Sequence, residues 1–230
     1  MLLRALLVEA ENALYPYTPC HSAGMTAAHA LADLSMADFQ AAYTRARDQV
    51  KKRLGARVRD RLLYFQIMVE QGGVCDPDRV LAYHEAYWQA YFDAMQPDPD
   101  AVTVLRQLAE TGVKLALVSN LPLDLALREA SVVRQKLGVA AAAVSVPVEV
   151  GSPLPASDVI YHALNKLGLT EEEVWVVGLA SQPLLMAAQT EDLFIVQLDA
   201  RQTGKLPPGS FGVRGWAGFA RVIASMQERG

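Results

Sequence analysis

Two glutamates one residue apart close the first apolar run of this sequence, where Leu2 to Val8 gives way to Glu9-Ala10-Glu11-Asn12-Ala13. If that run is a strand, alternation places both carboxylates on one side of an extended segment. A pair so placed can divide acid and base work. The same spacing also occurs in solvated turns without chemistry, and it can line a ligand site. Two further turns carry polar or small residues just past apolar runs: Val118-Ser119-Asn120-Leu121-Pro122 and Val177-Gly178-Leu179-Ala180. Other chemistries find no footing. There is no glycine-rich phosphate loop and no G-x-S-x-G nucleophile elbow. His21, His29, His84 and His162 lack ligand spacing, and Cys20-His21 is too close a pair to make a metal site.

These turns need elements to hold them. Leu2–Val8 is almost wholly apolar, as expected of a central parallel strand buried on both faces. From Thr26 to Met95 the spacing turns helical, with helices expected over Met36–Leu54, Ala56–Gln71 and Pro77–Met95, broken at Gly55 and Gly72-Gly73. After the linker Gln96-Pro97-Asp98-Pro99-Asp100, strands and helices alternate. Helices are expected at Val102–Thr111, Pro122–Leu137, Ser157–Leu167, Pro183–Gln189 and Trp216–Gln227. Strands are expected at Val113–Ser119, Ala142–Val148, Val174–Val177 and Leu193–Leu198. Alternation implies a parallel sheet with covered faces. The simplest architecture is an α/β, Rossmann-like three-layer core, residues 1–15 and 97–230, with an all-helical cap, residues 16–96, inserted after the first strand. Ligands of open α/β sheets bind at the carboxyl ends of the strands, which is where all three turns fall.

The placement of these turns resembles the haloacid dehalogenase-like (HAD-like) hydrolase superfamily, in its members with a helical cap after strand one. The family opens with D-x-D-x-T, followed in the subgroup this chain looks like by L-Y-P-Y; here Leu14-Tyr15-Pro16-Tyr17 follows. The resemblance puts Glu9 at the nucleophilic aspartate, Glu11 at the aspartate acid/base and Ala13 at the threonine. It puts Ser119 and Asn120 where a hydroxyl and an amide hold a phosphoryl oxygen, and Ser152 at the family's lysine. The magnesium-binding G-D-x-x-x-x-D reads Gly178-Leu179-Ala180-Ser181-Gln182-Pro183-Leu184, with leucine at both carboxylate positions.

Family chemistry forms an aspartyl-phosphate while Mg²⁺ and lysine cancel charge. Two unit charges about 4 Å apart interact by roughly 4 kcal/mol at an effective dielectric near 20. A phosphate dianion facing Glu9 and Glu11 would meet that repulsion more than once. Glutamate is also one methylene longer than aspartate, and an attacking atom misplaced by about 1 Å can lose on the order of 10²-fold in rate. The expectation is therefore a catalytically inactive member with a scaffolding, self-association or ligand-binding role and no cofactor. Glu9, Glu11, Asn12, Ser119 and Asn120 are its cleft candidates. The alternative is an active hydrolase or phosphatase on a small phosphorylated metabolite, working through Glu9 with Mg²⁺ or a borrowed cation such as Arg128.

Composition narrows the partners. Over 230 residues the net charge is −4 and 52% are hydrophobic, so nucleic acid and membrane are not expected, while a small molecule, a protein or a second copy of the chain remain. Only Cys20 and Cys75 occur, which fits a reducing cytoplasm better than a disulfide framework. The basic run Arg45, Arg47, Lys51, Lys52, Arg53, Arg57, Arg59 and Arg61, against Asp48 and Asp60, reads first as a solvated helix face and second as a contact for an anionic partner or nucleic acid, though no known nucleic-acid-binding motif accompanies it. Tyr83, Tyr87, Trp88, Tyr91 and Phe92 share one helix face, expected to pack, with substrate stacking or a dimer surface as the other readings.

Overall fold

The apolar run that opens the sequence becomes β1 (Ala5–Val8), with all four side chains buried. Leu6 and Leu7, at 1% and 0% exposure, each contribute about 1.5–3 kcal/mol by leaving water. The computed structural model describes residues 3–55, 59–191, 193–199 and 206–227. Leu2 of the expected first strand, the first three residues of the expected helix at 56–71, and Arg57 of the basic run lie outside them. The chain divides into two compact units, Met1–Pro16 with Gln96–Gly230, and Tyr17–Met95.

In the first unit a short turn, α1 (Ala10–Ala13), follows β1. After it come α6 (Pro99–Glu110), β2 (Lys114–Val118), α7 (Leu123–Leu137), β3 (Ala141–Ser145), α8 (Pro147–Val150) and α9 (Asp158–Leu167). Then β4 (Val174–Gly178), α10 (Pro183–Thr190), β5 (Ile195–Gln197), β6 (Phe211–Gly212) and α11 (Gly215–Gln227) complete it. The six strands run parallel in the order β3-β2-β1-β4-β5-β6. Period-two alternation sorts each strand between two helical layers. Ala5, Leu7, Ala116, Val118, Val174 and Val176 face the apolar stripes of α9 and α10. Trp175 points the other way, stacking on Phe194 at 4.5 Å and meeting Phe219 of α11 at 6.1 Å. α6 packs on β2 and α11. The fold class is thus a layered α/β structure on a parallel sheet.

Among the described residues the second unit holds four helices, α2 (Tyr17–His29), α3 (Met36–Leu54), α4 (Arg61–Glu70) and α5 (Pro77–Asp93). Their starts are written locally: the side chains of Ser35, Asp60 and Asp76 accept from the amides of Asp38, Leu63 and Arg79, each cap worth about 1 kcal/mol. α2 lies along α5 because Gly24 has no side chain. A Cβ there would stand 2.8 Å from the Tyr87 ring and 2.9 Å from its carbonyl oxygen. The five aromatics of α5 are all buried, with Tyr83 meeting the rings of Phe39 and Phe65 and Tyr87 that of Phe65.

Differences from the sequence expectations have local causes. Helix α2 already begins at Tyr17, ahead of the helical spacing expected from Thr26. The helix expected from residue 56 begins at Arg61, where Asp60 caps it, and the one expected from Val102 begins at Pro99, capped by Asp98 with proline in its first turn. The strand expected over Ala142–Val148 stops at Ser145, because Pro147 cannot donate to a ladder and starts α8 instead. Edge strand β6 was not expected; two residues leave too short a pattern. Among the described residues no helix is long and apolar enough to cross a membrane, and the two cysteines are not joined in a disulfide, Cys20 being buried and Cys75 exposed.

Candidate active site

β1 pairs with β2 and β4 in registers that set Val8 opposite Leu117 and Val177. The next residue out is Glu9, and it is only 5% exposed. Its backbone is still extended, and its Oε2 accepts a hydrogen bond from the Leu184 amide at 3.2 Å. Leu184 lies in the first turn of α10, behind Pro183, so the carboxylate meets an amide left over by the helix and the positive end of its dipole. After Glu9 the chain turns sharply. Asn12 takes φ 65°, a left-handed conformation that asparagine tolerates better than most residues. Its amide donates to the Tyr15 carbonyl, and the Trp216 indole donates to the Ala13 carbonyl at 2.6 Å.

Gln182 is the residue that ties this loop to the end of β4. Its Nε2 donates to the carbonyls of Glu11 at 2.6 Å and Glu9 at 3.1 Å, while its Oε1 accepts from the Leu179 amide at 2.7 Å. It is 5% exposed, and a Cβ on Gly178 would collide with its Oε1. Family members bind magnesium at this place. Here the residues do not fit such an ion: Leu184 is packed in the core cluster, the Leu179 side chain offers no oxygen and its carbonyl accepts from the Gln182 backbone amide, and the two loop carbonyls are engaged by the Gln182 side chain. Hard cations need several oxygen ligands, and among the described residues no group of three His, Cys, Asp or Glu could hold a metal ion.

On the other side of β1, Ser119 is buried at the end of β2, where its amide donates to the Ser145 carbonyl and its Oγ accepts from the Leu121 amide at 3.3 Å. It is also hydrogen-bonded to Glu129 of α7. Glu129 is 2% exposed, and its Oε1 accepts from the Tyr15 hydroxyl. Burial raises its pKa to about 7; Glu11 and Glu9 push the same way, while the bonds from Tyr15 and Ser119 pull it down. A carboxylic acid thus sits between the turns after β1 and β2, and it changes protonation near neutral pH.

The structure therefore joins Glu9, the Glu11 backbone and Ser119 through Leu184, Gln182 and Glu129. Asn120 is half-buried in the following turn, and Ser152 is half-buried in the loop after Gly151. Asn12 is exposed and lines a cavity of about 750 Å³ beside Leu179 and Ser181; Glu9 and Ser119 are not part of that wall. Sequence reasoning missed Gln182, Glu129 and Trp216. For Glu129 a signal existed, because Leu125, Ala126, Glu129, Val133 and Leu137 share the buried stripe of α7, and a carboxylate in an apolar stripe needs a reason. For Gln182, a neutral residue in an altered motif, no signal existed.

The family model for haloacid dehalogenase-like hydrolases matches residues 7–178. A curated relative, named ribulose-1,5-bisphosphate 5-phosphatase, from Halopiger xanaduensis, is 35% identical over 184 residues, 76% of this chain and 75% of its own. Two solved structures share the fold. One is a 2-haloacid dehalogenase from Pseudomonas syringae pv. Tomato, with TM-score 0.71 and 14% identity over 98% of this chain and 100% of that one. The other is a HAD phosphatase from Thermococcus onnurineus, with TM-score 0.67 and 15% identity over 96% and 98%.

Proposed function

Because the chain belongs to the haloacid dehalogenase-like hydrolases, we propose that its α/β unit is a phosphatase-type hydrolase of a small phosphorylated metabolite, with Glu9 in the attacking position. One observation carries this reading. The Glu9 carboxylate is fixed, nearly buried, at the carboxyl end of the central strand, against the α10 N-terminus. That terminus supplies the equivalent of about half a positive charge, a partial substitute for the missing magnesium pocket. In the reaction a Glu9 oxygen bonds to phosphorus as the ester P–O bond breaks, and the departing alcohol oxygen takes a proton from Glu11, the residue at the family's acid position. Water then attacks the acyl phosphate, releasing inorganic phosphate and restoring the carboxylate. The relative's name supports a sugar phosphate as substrate and ribulose 1,5-bisphosphate as the first compound to assay.

A second reading, an inactive ligand-binding or scaffolding protein, is favoured by Gln182, which engages both loop carbonyls where the family places its cation. The relationship to a named phosphatase supports the first reading over the second. Phosphate release from ribulose 1,5-bisphosphate and a panel of sugar phosphates, with and without divalent cations, distinguishes them. Turnover that disappears in Glu9→Gln fits the hydrolase. Saturable binding without turnover fits the second reading.

A further inference from the structure

The basic run is not one uniform solvated face. Arg61, its last member, is 6% exposed and ringed by aromatics of the helical unit. Its guanidinium carbon lies 4.8 Å from the Trp88 ring centre, 4.9 Å from that of Tyr87 and 5.9 Å from that of Tyr17. Nη2 donates to the Tyr17 hydroxyl at 3.1 Å, whereas Nε is buried with no hydrogen-bond partner. These contacts of Arg61 within the helical unit are all to aromatic rings and the Tyr17 hydroxyl, none to a carboxylate. Ring faces offset part of the cost of desolvating a guanidinium, but they leave its charge uncancelled. Buried charges are normally neutralised by a partner, so the partner of Arg61 has to come from elsewhere.

The aromatic wall leads to an opening. The Tyr87 hydroxyl stands 2.7 Å from His21 Nδ1, and His21 lines a cleft of about 270 Å³ between α2 and α3 with Ser22, Gln40, Tyr43, Thr44 and Arg47. Burial first, then the charges of Arg61 and Arg47, hold the His21 pKa down at about 4. The imidazole is therefore neutral near pH 7, and a positive potential reaches the cleft. Arg47 itself donates to the neighbouring Asp48 Oδ1 from Nε and Nη2, at 3.0 and 2.9 Å. The side chains of that pair are 39% and 60% exposed, and such pairs hold their partners weakly, so Arg47 is able to turn toward an anion.

We propose that the cleft between α2 and α3 binds the phosphate group of a small hydroxylated metabolite, with Arg47 at its mouth and Arg61 supplying charge from behind His21 and Tyr43. The hydroxyls of Ser22, Tyr43 and Thr44 and the amide of Gln40 offer donors to phosphate oxygens. The volume falls below the roughly 300–1,000 Å³ of pockets for drug-sized ligands, which restricts the guest to something small. The inference stands independently of the role given to Glu9.

The test is a calorimetric titration of the full chain at pH 7 with inorganic phosphate and ribose 5-phosphate, with ribose as the uncharged control, while NMR follows the His21 imidazole. Both phosphates are expected to bind saturably, ribose not at all, and the His21 resonances to move. Arg47→Ala weakens binding about tenfold, the scale of one charge-assisted hydrogen bond, and Arg61→Gln weakens it more. If Arg61→Gln does not fold, Arg47→Ala and the His21 signal decide. Glu9→Gln leaves the His21 response and its dependence on Arg47 unchanged, and that local signal separates this cleft from the α/β unit. The absence of saturable phosphate binding, an unmoved His21 signal, or full affinity in Arg47→Ala overturns the proposal.

Discussion

Replacing Glu129 by glutamine changes one atom of a fully enclosed side chain, and its effect should depend on pH. Burial raises the folded-state pKa of Glu129 from 4.5 to about 7. The folded protein therefore holds a proton there that the unfolded chain releases. Such a group contributes fully to stability below pH 4.5, and the contribution is lost as the pH rises through 7. A shift from 4.5 to about 7 corresponds to about 3 kcal/mol at 1.36 kcal/mol per unit. Glutamine can accept from Tyr15 through its amide oxygen as the carboxyl does, and it never ionises. Urea unfolding of both proteins at pH 5 and pH 8 gives the assay. His21 works in the opposite sense, since its lowered pKa costs stability as pH falls below about 6.5, but it is common to both proteins and cancels in the difference. Relative to wild type, Glu129→Gln should gain about 2.5 kcal/mol on going from pH 5 to pH 8, because pH 5 already lies half a unit above the unfolded value. Parallel pH profiles for the two proteins would refute the idea that Glu129 is a buried acid with a raised pKa.

Gln182→Ala should destabilise by about 2–4 kcal/mol, by chemical denaturation, because it leaves the Glu9 and Glu11 carbonyls and the Leu179 amide without their buried partner. Millimolar Mg²⁺ should leave the melting temperature of the wild type unchanged, as read by calorimetry; a clear rise would mean a cation competes with the Gln182 amide. Gly24→Ala should cost about 1–3 kcal/mol by urea unfolding, since its Cβ meets both the ring and the backbone of Tyr87. Trp216→Phe should cost about 1–3 kcal/mol in the same assay, since it leaves the buried Ala13 carbonyl without its indole donor.

The long elements were legible because their determinants are local. Ser35 and Gly55 bound α3 over Met36–Leu54 as its helical spacing indicates, and Gly138 and Gly168 close α7 and α9 in the left-handed region. The apolar β1 run announced a doubly covered strand. The sequence also located Glu9, Ser119 and Leu179 at neighbouring strand ends, through their position after apolar runs. What it did not carry is the wiring between those ends. Gln182 and Glu129 lie far from Glu9 in sequence, and glutamine at one position of a loop reads as ordinary solvent-facing chain. Arg61 shows the opposite failure: within a run of like charges it reads as surface, and only the surrounding tyrosines and tryptophan of other helices place it inside. Relationship to a phosphatase shifted the functional reading toward hydrolysis, which the altered charges alone had argued against.

Phosphate release from ribulose 1,5-bisphosphate by the wild-type chain and by Glu9→Gln tests the attacking role of Glu9 most directly. The account predicts release by the wild type and a loss of at least about 10³-fold in the variant, as expected when a nucleophile is removed. No release by the folded wild type on any sugar phosphate of the panel, or equal release by both proteins, would contradict it.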